Sequence, residues 1–278
     1  MSAPVANDVI PGVYDIPAEM YHADPIPGGS LSSTGARTLT SRCPAKFRYD
    51  LDHQQPYKQA FDFGTAAHKL VLGDGPELVL VDELLWNTDA TKARVAEIRA
   101  AGNIPLKRAD LQRVHDMATA ITQHPEAADL LHPDSGQPEQ TLFWPIGNVW
   151  CRARVDWLRD DCLVDYKTAR SAHPDAIQKA VQEHGYHVQD DWYRRGAAAI
   201  DLLPMNTAFP FIVQEKEPPY LVTVARLDLW RDIAHQVSEQ ALFLYESCRT
   251  ADYWPAYTTE TAYVSPPAWL ERQYEGVS

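Results

Sequence analysis

The chain has 278 residues, 45% hydrophobic and 23% charged, enough to bury the core of one large domain or two small ones. A formal net charge of −13 excludes a dense non-specific coat on nucleic acid, although a local basic groove can coexist with clustered carboxylates. No run of about 18 apolar residues and no basic-then-apolar leader occurs, so neither a membrane span nor a secretory signal is expected and the cytoplasm is the expected compartment.

Residues 1–29 are predicted to be irregular, because Pro4, Pro11, Pro17, Pro25 and Pro27 interrupt any helix. A helix follows over 32–50, with Ser30, Ser32 or Ser33 as N-cap. A second, buried helix is predicted over 61–73, ending at Gly73, and helical signals dominate 91–131 with breaks near Gly102–Pro105 and at Pro125. Strands are predicted over 139–146, 149–158 and 162–168, with turns at Gly147-Asn148 and Asp160-Asp161. A long helix over 174–200 comes next, then strands over 207–214 and 220–227 joined by the charged Glu215–Pro219 turn. A helix over 228–250 precedes an aromatic, proline-rich tail over 251–278. The order predicts one α/β domain over 30–250 with a helical N-terminal portion. Cys43, Cys151, Cys162 and Cys248 are scattered without a C-x-x-C pair, which gives neither a zinc ribbon nor a disulfide framework.

The two short turns fix a register. A two-residue turn at Gly147-Asn148 places Glu139 opposite Asp156, and one at Asp160-Asp161 places Asp156 opposite Asp165. Lys167, two residues beyond Asp165, points to the same side. Like charges directly opposed are destabilising, so a row of three acids calls for a cation or shared protons. Oxygen ligands at this spacing suit Mg²⁺ or Mn²⁺. The plainer reading is a solvated sheet face on which Arg152 and Arg154 pair the acids. His68 lies inside the apolar AAHKLVL helix, where a hydrogen-bonded core imidazole is the plainer reading. Tyr186, Gln189 and Tyr193 share one helical face, as they would on any amphipathic helix.

Together these segments carry a resemblance. The ordered set GTAAHKLVL (His68), EQTLFW (Glu139), CRARVDWL (Asp156), VDYKT (Asp165, Lys167) and YHVQDDWY (Gln189, Tyr193) resembles the RecE-type exonuclease VIII branch of the PD-(D/E)XK nucleases. That phage and prophage group is related more distantly to the RecB nuclease domain and lambda exonuclease. The resemblance covers about residues 12–250. It implies a restriction-endonuclease-like core, a central mixed sheet flanked by helices. It implies that His68, Asp156, Asp165 and the Tyr166 carbonyl ligate Mg²⁺ or Mn²⁺, with Glu139 close to the metal. Lys167 would orient and help deprotonate the attacking water, and Gln189 and Tyr193 would support the site and contact DNA. Cys43 sits where iron–sulfur relatives place their first cluster cysteine, but the three late ones those relatives need are not all here, so no cluster is expected.

The implied activity is 5′→3′ resection of duplex ends by a homo-oligomeric ring, beside a single-strand annealing protein. The same site on an endonuclease or single-strand nuclease, or an idle nuclease fold that only binds DNA, stays open. Cations for the DNA path are sought at Arg152, Arg154, Arg170, Lys179, Arg194 and Arg195, with Lys46 and Arg48 from the first helix.

Overall fold

Two hairpin turns frame the main sheet of the computed structural model, which describes residues 9–53, 60–83 and 85–274. The strands are β1 (Gly12–Tyr14), β2 (Leu31–Ser32), β3 (Leu78–Leu80), β4 (Ile104–Leu106), β5 (Gly136–Ile146), β6 (Val149–Arg159), β7 (Leu163–Ala169), β8 (Phe211–Glu215) and β9 (Val222–Ala225). The helices are α1 (Ala18–Ala23), α2 (Ser33–Ser41), α3 (Pro44–Asp52), α4 (Ala60–Leu72), α5 (Asp89–Ala100), α6 (Arg108–Gln123), α7 (Pro125–Leu130), α8 (Pro174–His184), α9 (Tyr186–Ala199), α10 (Arg231–Ala251) and α11 (Ala268–Tyr274).

The strand order is β1-β5-β6-β7-β8-β9, with β2 added to β6 and a separate two-stranded sheet of β3 and β4. Gly147, at φ +57°, makes the turn between β5 and β6. The resulting ladder runs from Ile146↔Val149 to Gly136↔Arg159, as the Gly147-Asn148 turn predicts. The Asp160-Asp161 turn also forms, with Trp157 paired to Val164 and Leu158 to Leu163. The sheet is mixed, because β7 pairs parallel to β8 and β2 parallel to β6, while the β5–β6, β6–β7 and β8–β9 pairs are antiparallel.

Helices cover both faces. On one, α2, α9 and α10 bury Leu39, Trp192 and Leu242 against Leu142, Trp144, Ala153 and Val155. On the other, α4 and α6 bury Ala66, Ala67, Val114 and Met117 against Val164, Tyr166 and Ile212. Burial on this scale, at roughly 25 cal/mol per Å² of apolar surface, is what fixes the helices to the sheet. Gly196 lets α9 lie directly on the sheet, since a Cβ there would stand 2.6 Å from the Trp144 ring.

Several expectations change. The segment expected to be irregular holds β1, which pairs with β5, and α1; its Ile16, Tyr21 and Ile26 pack on Phe143. The helix expected over 32–50 is two, because Pro44 starts α3 and denies the preceding turn a donor. The helix expected over 174–200 also divides, at Gly185, whose left-handed φ of +67° caps α8. The C-terminal tail carries the short α11 and is exposed almost throughout. Among the described residues no helix is long and apolar enough to cross a membrane.

Candidate active site

The β6–β7 ladder ends after Trp157↔Val164, and from Asp165 onward β7 pairs on its other edge with β8. Further back along the same edge, β6 takes β2 at Cys151 and Arg152. Asp156 sits in the fork between these two partners. There the Tyr166 N–H donates to Asp156 Oδ2 at 2.9 Å and ties the diverging strands together.

On the other side of β6, the register with β5 is kept before and after Glu139, yet Glu139 itself drops out of the ladder. Its φ of +55° lies in the left-handed region that a non-glycine residue enters only at a cost of order 1 kcal/mol. The carboxylate is anchored by Arg154, whose Nε donates to Oε2 at 2.6 Å. The facing of β6 switches at the same level: Val155 packs in the first core and Trp157, two residues on, in the second. The flat row of three acids expected from alternation is therefore replaced by a twisted cluster.

His68, Glu139 and Asp156 bring one donor atom each to within 4.8 Å of one another. His68 Nδ1 stands 3.8 Å from Asp156 Oδ2, and its ring lies 5.0 Å from that of Tyr166. Asp165, also expected in the ligand set, is close enough to act electrostatically on Asp156, His68 and Glu139. It is fully buried, its Oδ1 accepts from Gln189 Nε2, and its Oδ2 lies 2.7 Å from Lys167 Nζ. Lys167 also lies over the Tyr186 ring at 5.3 Å. Tyr193 is buried and stacks on Phe209 at 5.5 Å, with Ser33 as a side-chain hydrogen-bond partner.

Burial, then the Asp165 charge, pushes the Asp156 carboxyl well above the ordinary carboxylate range; burial likewise raises Glu139 against the pull of Arg154. Burial and the Lys167 ammonium hold His68 down to about 4, so its ring is neutral at pH 7. Burial alone would lower Lys167, but Asp165 and Asp156 outweigh it and the ammonium is pushed up to about 12. A neutral imidazole beside two carboxylates that burial disfavours is a donor set fitted to a small divalent cation, which relieves the repulsion the acids otherwise carry. His68 and Glu139 open on a cavity of about 540 Å³ that is also lined by Thr65, Tyr166, Lys167 and Lys216.

Four of the six cations sought for the DNA path are engaged inside the protein. Arg152 bonds Asp24 and Ser30, Arg154 bonds Glu139 and the Ile16 carbonyl, and Arg194 is buried on Asp190 and the Met205 carbonyl. Arg195 pairs with Asp191 and Glu239. Arg170 and Lys179 are exposed. Of the first-helix cations, Lys46 pairs with Asp50 and Arg48 with Asp52.

Two residues of the site escaped the sequence reading. Lys216 lines the cavity, and Gln214, fully buried on β8, accepts from the Tyr166 hydroxyl at 2.6 Å. A glutamine inside the apolar run Phe211–Glu215 was the available signal, because a buried amide requires partners.

Residues 32–267 match the family described as "PDDEXK-like domain of unknown function (DUF3799)". The chain belongs to this family. Its fold is accordingly the PD-(D/E)XK core, a central mixed sheet flanked by helices. Among solved structures it is similar to a candidate exonuclease from Eubacterium rectale, at TM-score 0.63 and 13% identity, with 95% of this chain and 100% of that chain covered. At that identity the likeness speaks for the fold. A second structure, SSO0001, aligns at TM-score 0.29 and 12% identity over 74% of this chain and 100% of its own, too low to carry an argument. No curated protein matches in sequence.

Proposed function

We propose that this PD-(D/E)XK protein is a Mg²⁺- or Mn²⁺-dependent DNA exonuclease of the RecE type, resecting duplex ends 5′→3′ ahead of single-strand annealing. The observation that carries the reading is the convergence of donor atoms from His68, Glu139 and Asp156, beside a cavity lined by His68, Glu139 and Lys167.

When bound, the cation lowers the pKa of a coordinated water and offsets charge building on the phosphate. His68, Asp156, Asp165 and the Tyr166 carbonyl would hold it, with Glu139 beside His68 and Asp156. Asp165 also acts through Lys167 and Gln189: it fixes where the lysine points. Lys167 would orient the attacking water, help to deprotonate it and stabilise the charge developing on the phosphate. The buried Tyr166 hydroxyl and Gln214 fix the strand end that carries these groups.

The RecE-type reading extends to a homo-oligomeric ring around duplex DNA, working beside a single-strand annealing protein in a bacterial or phage-infected cytoplasm. A ring eases the problem of the −13 charge, since an acidic exterior and a less acidic channel can coexist.

The test is to incubate end-labelled linear duplex and covalently closed circles with Mg²⁺, beside Lys167→Ala. Progressive loss of the linear DNA alone, abolished in the variant, is expected. Cutting of closed circles would replace the reading with an endonuclease, and inertness toward both would favour a DNA-binding module.

A further inference from the structure

A second cleft adjoins the catalytic cavity. It measures about 180 Å³ and is walled by Phe63, Trp86, Lys107, Asp110 and Arg113. The small β3–β4 sheet builds it: β3 leads into the stretch that carries Trp86, and β4 leads into Lys107 at the start of α6. Two bonds of the chain join it to the active site. Phe63 is followed by Gly64 of the catalytic cavity, and Arg113 Nη2 donates to the carbonyl of Lys216, which lines that cavity, at 2.9 Å.

Its chemistry is unlike that of the catalytic cavity. Lys107 Nζ lies 5.3 Å from the Trp86 ring and the Arg113 guanidinium 4.7 Å from the Phe63 ring, so two flat rings and two cations alternate around one hollow. Asp110 supplies a carboxylate, 3.4 Å from Arg113. The Trp86 indole N–H is buried and has no acceptor among the described residues. A buried donor without an acceptor is costly, and a ligand carbonyl or ring nitrogen would satisfy it. Lys107 is exposed at the rim, free to swing off the indole face.

We propose that this cleft is a nucleobase subsite, taking one base of a single DNA strand whose phosphate lies in the catalytic cavity. Trp86 provides the stacking face once Lys107 swings away, Asp110 meets the polar edge of the base, and Lys107 neutralises the neighbouring backbone, while Arg113 stays over Phe63 and bound to Glu217 as the back wall. The inference rests on the nuclease reading and deepens it. A strand with a base held here is unpaired next to the scissile bond, so the cleft would separate the reacting strand from its complement.

The test uses the full chain in EDTA, so that nothing is cut. Binding of single-stranded deoxyadenylate is compared with an abasic oligonucleotide of equal length and charge. The wild type should prefer the deoxyadenylate by roughly tenfold, with quenched indole fluorescence, and Trp86→Ala should lose both the preference and much of the quenching. Trp86→Phe, which keeps a stacking ring, should retain part of the preference. Lys107→Glu, an exposed change that spares the fold, should weaken both ligands alike. Equal binding of the two ligands by the wild type overturns the subsite, as does an unchanged preference in both Trp86 variants. A wild type that cuts DNA yet shows no base preference overturns the subsite alone. One that cuts no DNA in Mg²⁺ or Mn²⁺ overturns the nuclease reading.

Discussion

The Tyr166 N–H donates to Asp156 Oδ2 at 2.9 Å across the fork where β7 leaves β6, and this bond sets the distance between the two acidic strands. It places Asp156 beside His68 on one side and carries Asp165 and Lys167 toward Gln189 on the other. The site is thus two coupled groups: a ligand trio, and a lysine held in place by a buried acid.

The ligand trio is unstable without a cation. Burial and the Asp165 charge raise the Asp156 carboxyl, so the ionised form weakens the metal-free fold. Asp156→Asn keeps an oxygen for the Tyr166 N–H and removes the charge. It should raise the metal-free melting temperature by about 2–4 °C, corresponding to about 1 kcal/mol. Thermal unfolding in EDTA at pH 7.5 checks this, and a lowered melting temperature would contradict it.

His68 sets an acid limit. Its folded-state pKa of about 4 lies below the ordinary 6.5, so the unfolded chain binds the proton more readily. Stability from the neutral ring is complete above about 6.5 and drains away as pH falls toward 4, by up to about 3 kcal/mol. Asp156 works in the opposite direction, because its raised pKa makes protonation favour the folded state. His68→Asn should therefore flatten the loss of stability between pH 6.5 and 4.5 in chemical denaturation series; a loss as steep as in the wild type would refute the assignment.

Gln214 accepts from the Tyr166 hydroxyl and donates to the carbonyls of Met117 and Tyr220. Gln214→Leu leaves those groups buried without partners, at about 1–3 kcal/mol. The melting temperature should drop by about 2–12 °C, at about 2–4 °C per kcal/mol. Tyr166→Phe on top of Gln214→Leu should cost less than the sum of the single changes, since both break the same bond. Strict additivity in a double-mutant cycle would mean the bond does not couple them.

Much of this arrangement was legible in the chain. Gly147-Asn148 dictated the β5–β6 pairing on both sides of Glu139, and Asp160-Asp161 the Trp157↔Val164 and Leu158↔Leu163 pairs, because a two-residue turn permits one register. The break at Gly185 was also readable, as glycine is the usual left-handed helix cap. What local pattern does not carry is long-range competition. β2 takes the β6 edge at Cys151 and Arg152 where the β7 hairpin would continue, and Arg152 finds Asp24 across 128 positions. The left-handed backbone at Glu139, which replaces the flat row of acids with a cluster, leaves no mark in residue alternation.

The most direct measurement is calorimetric titration of Mn²⁺ into the wild type and into Asp156→Asn at pH 7.5. The account predicts one ion per chain for the wild type, bound with proton release from the raised carboxyl groups, and no binding at this site in the variant. Absence of binding to the wild type, or equal binding by both, would contradict a metal centre built on His68, Glu139 and Asp156.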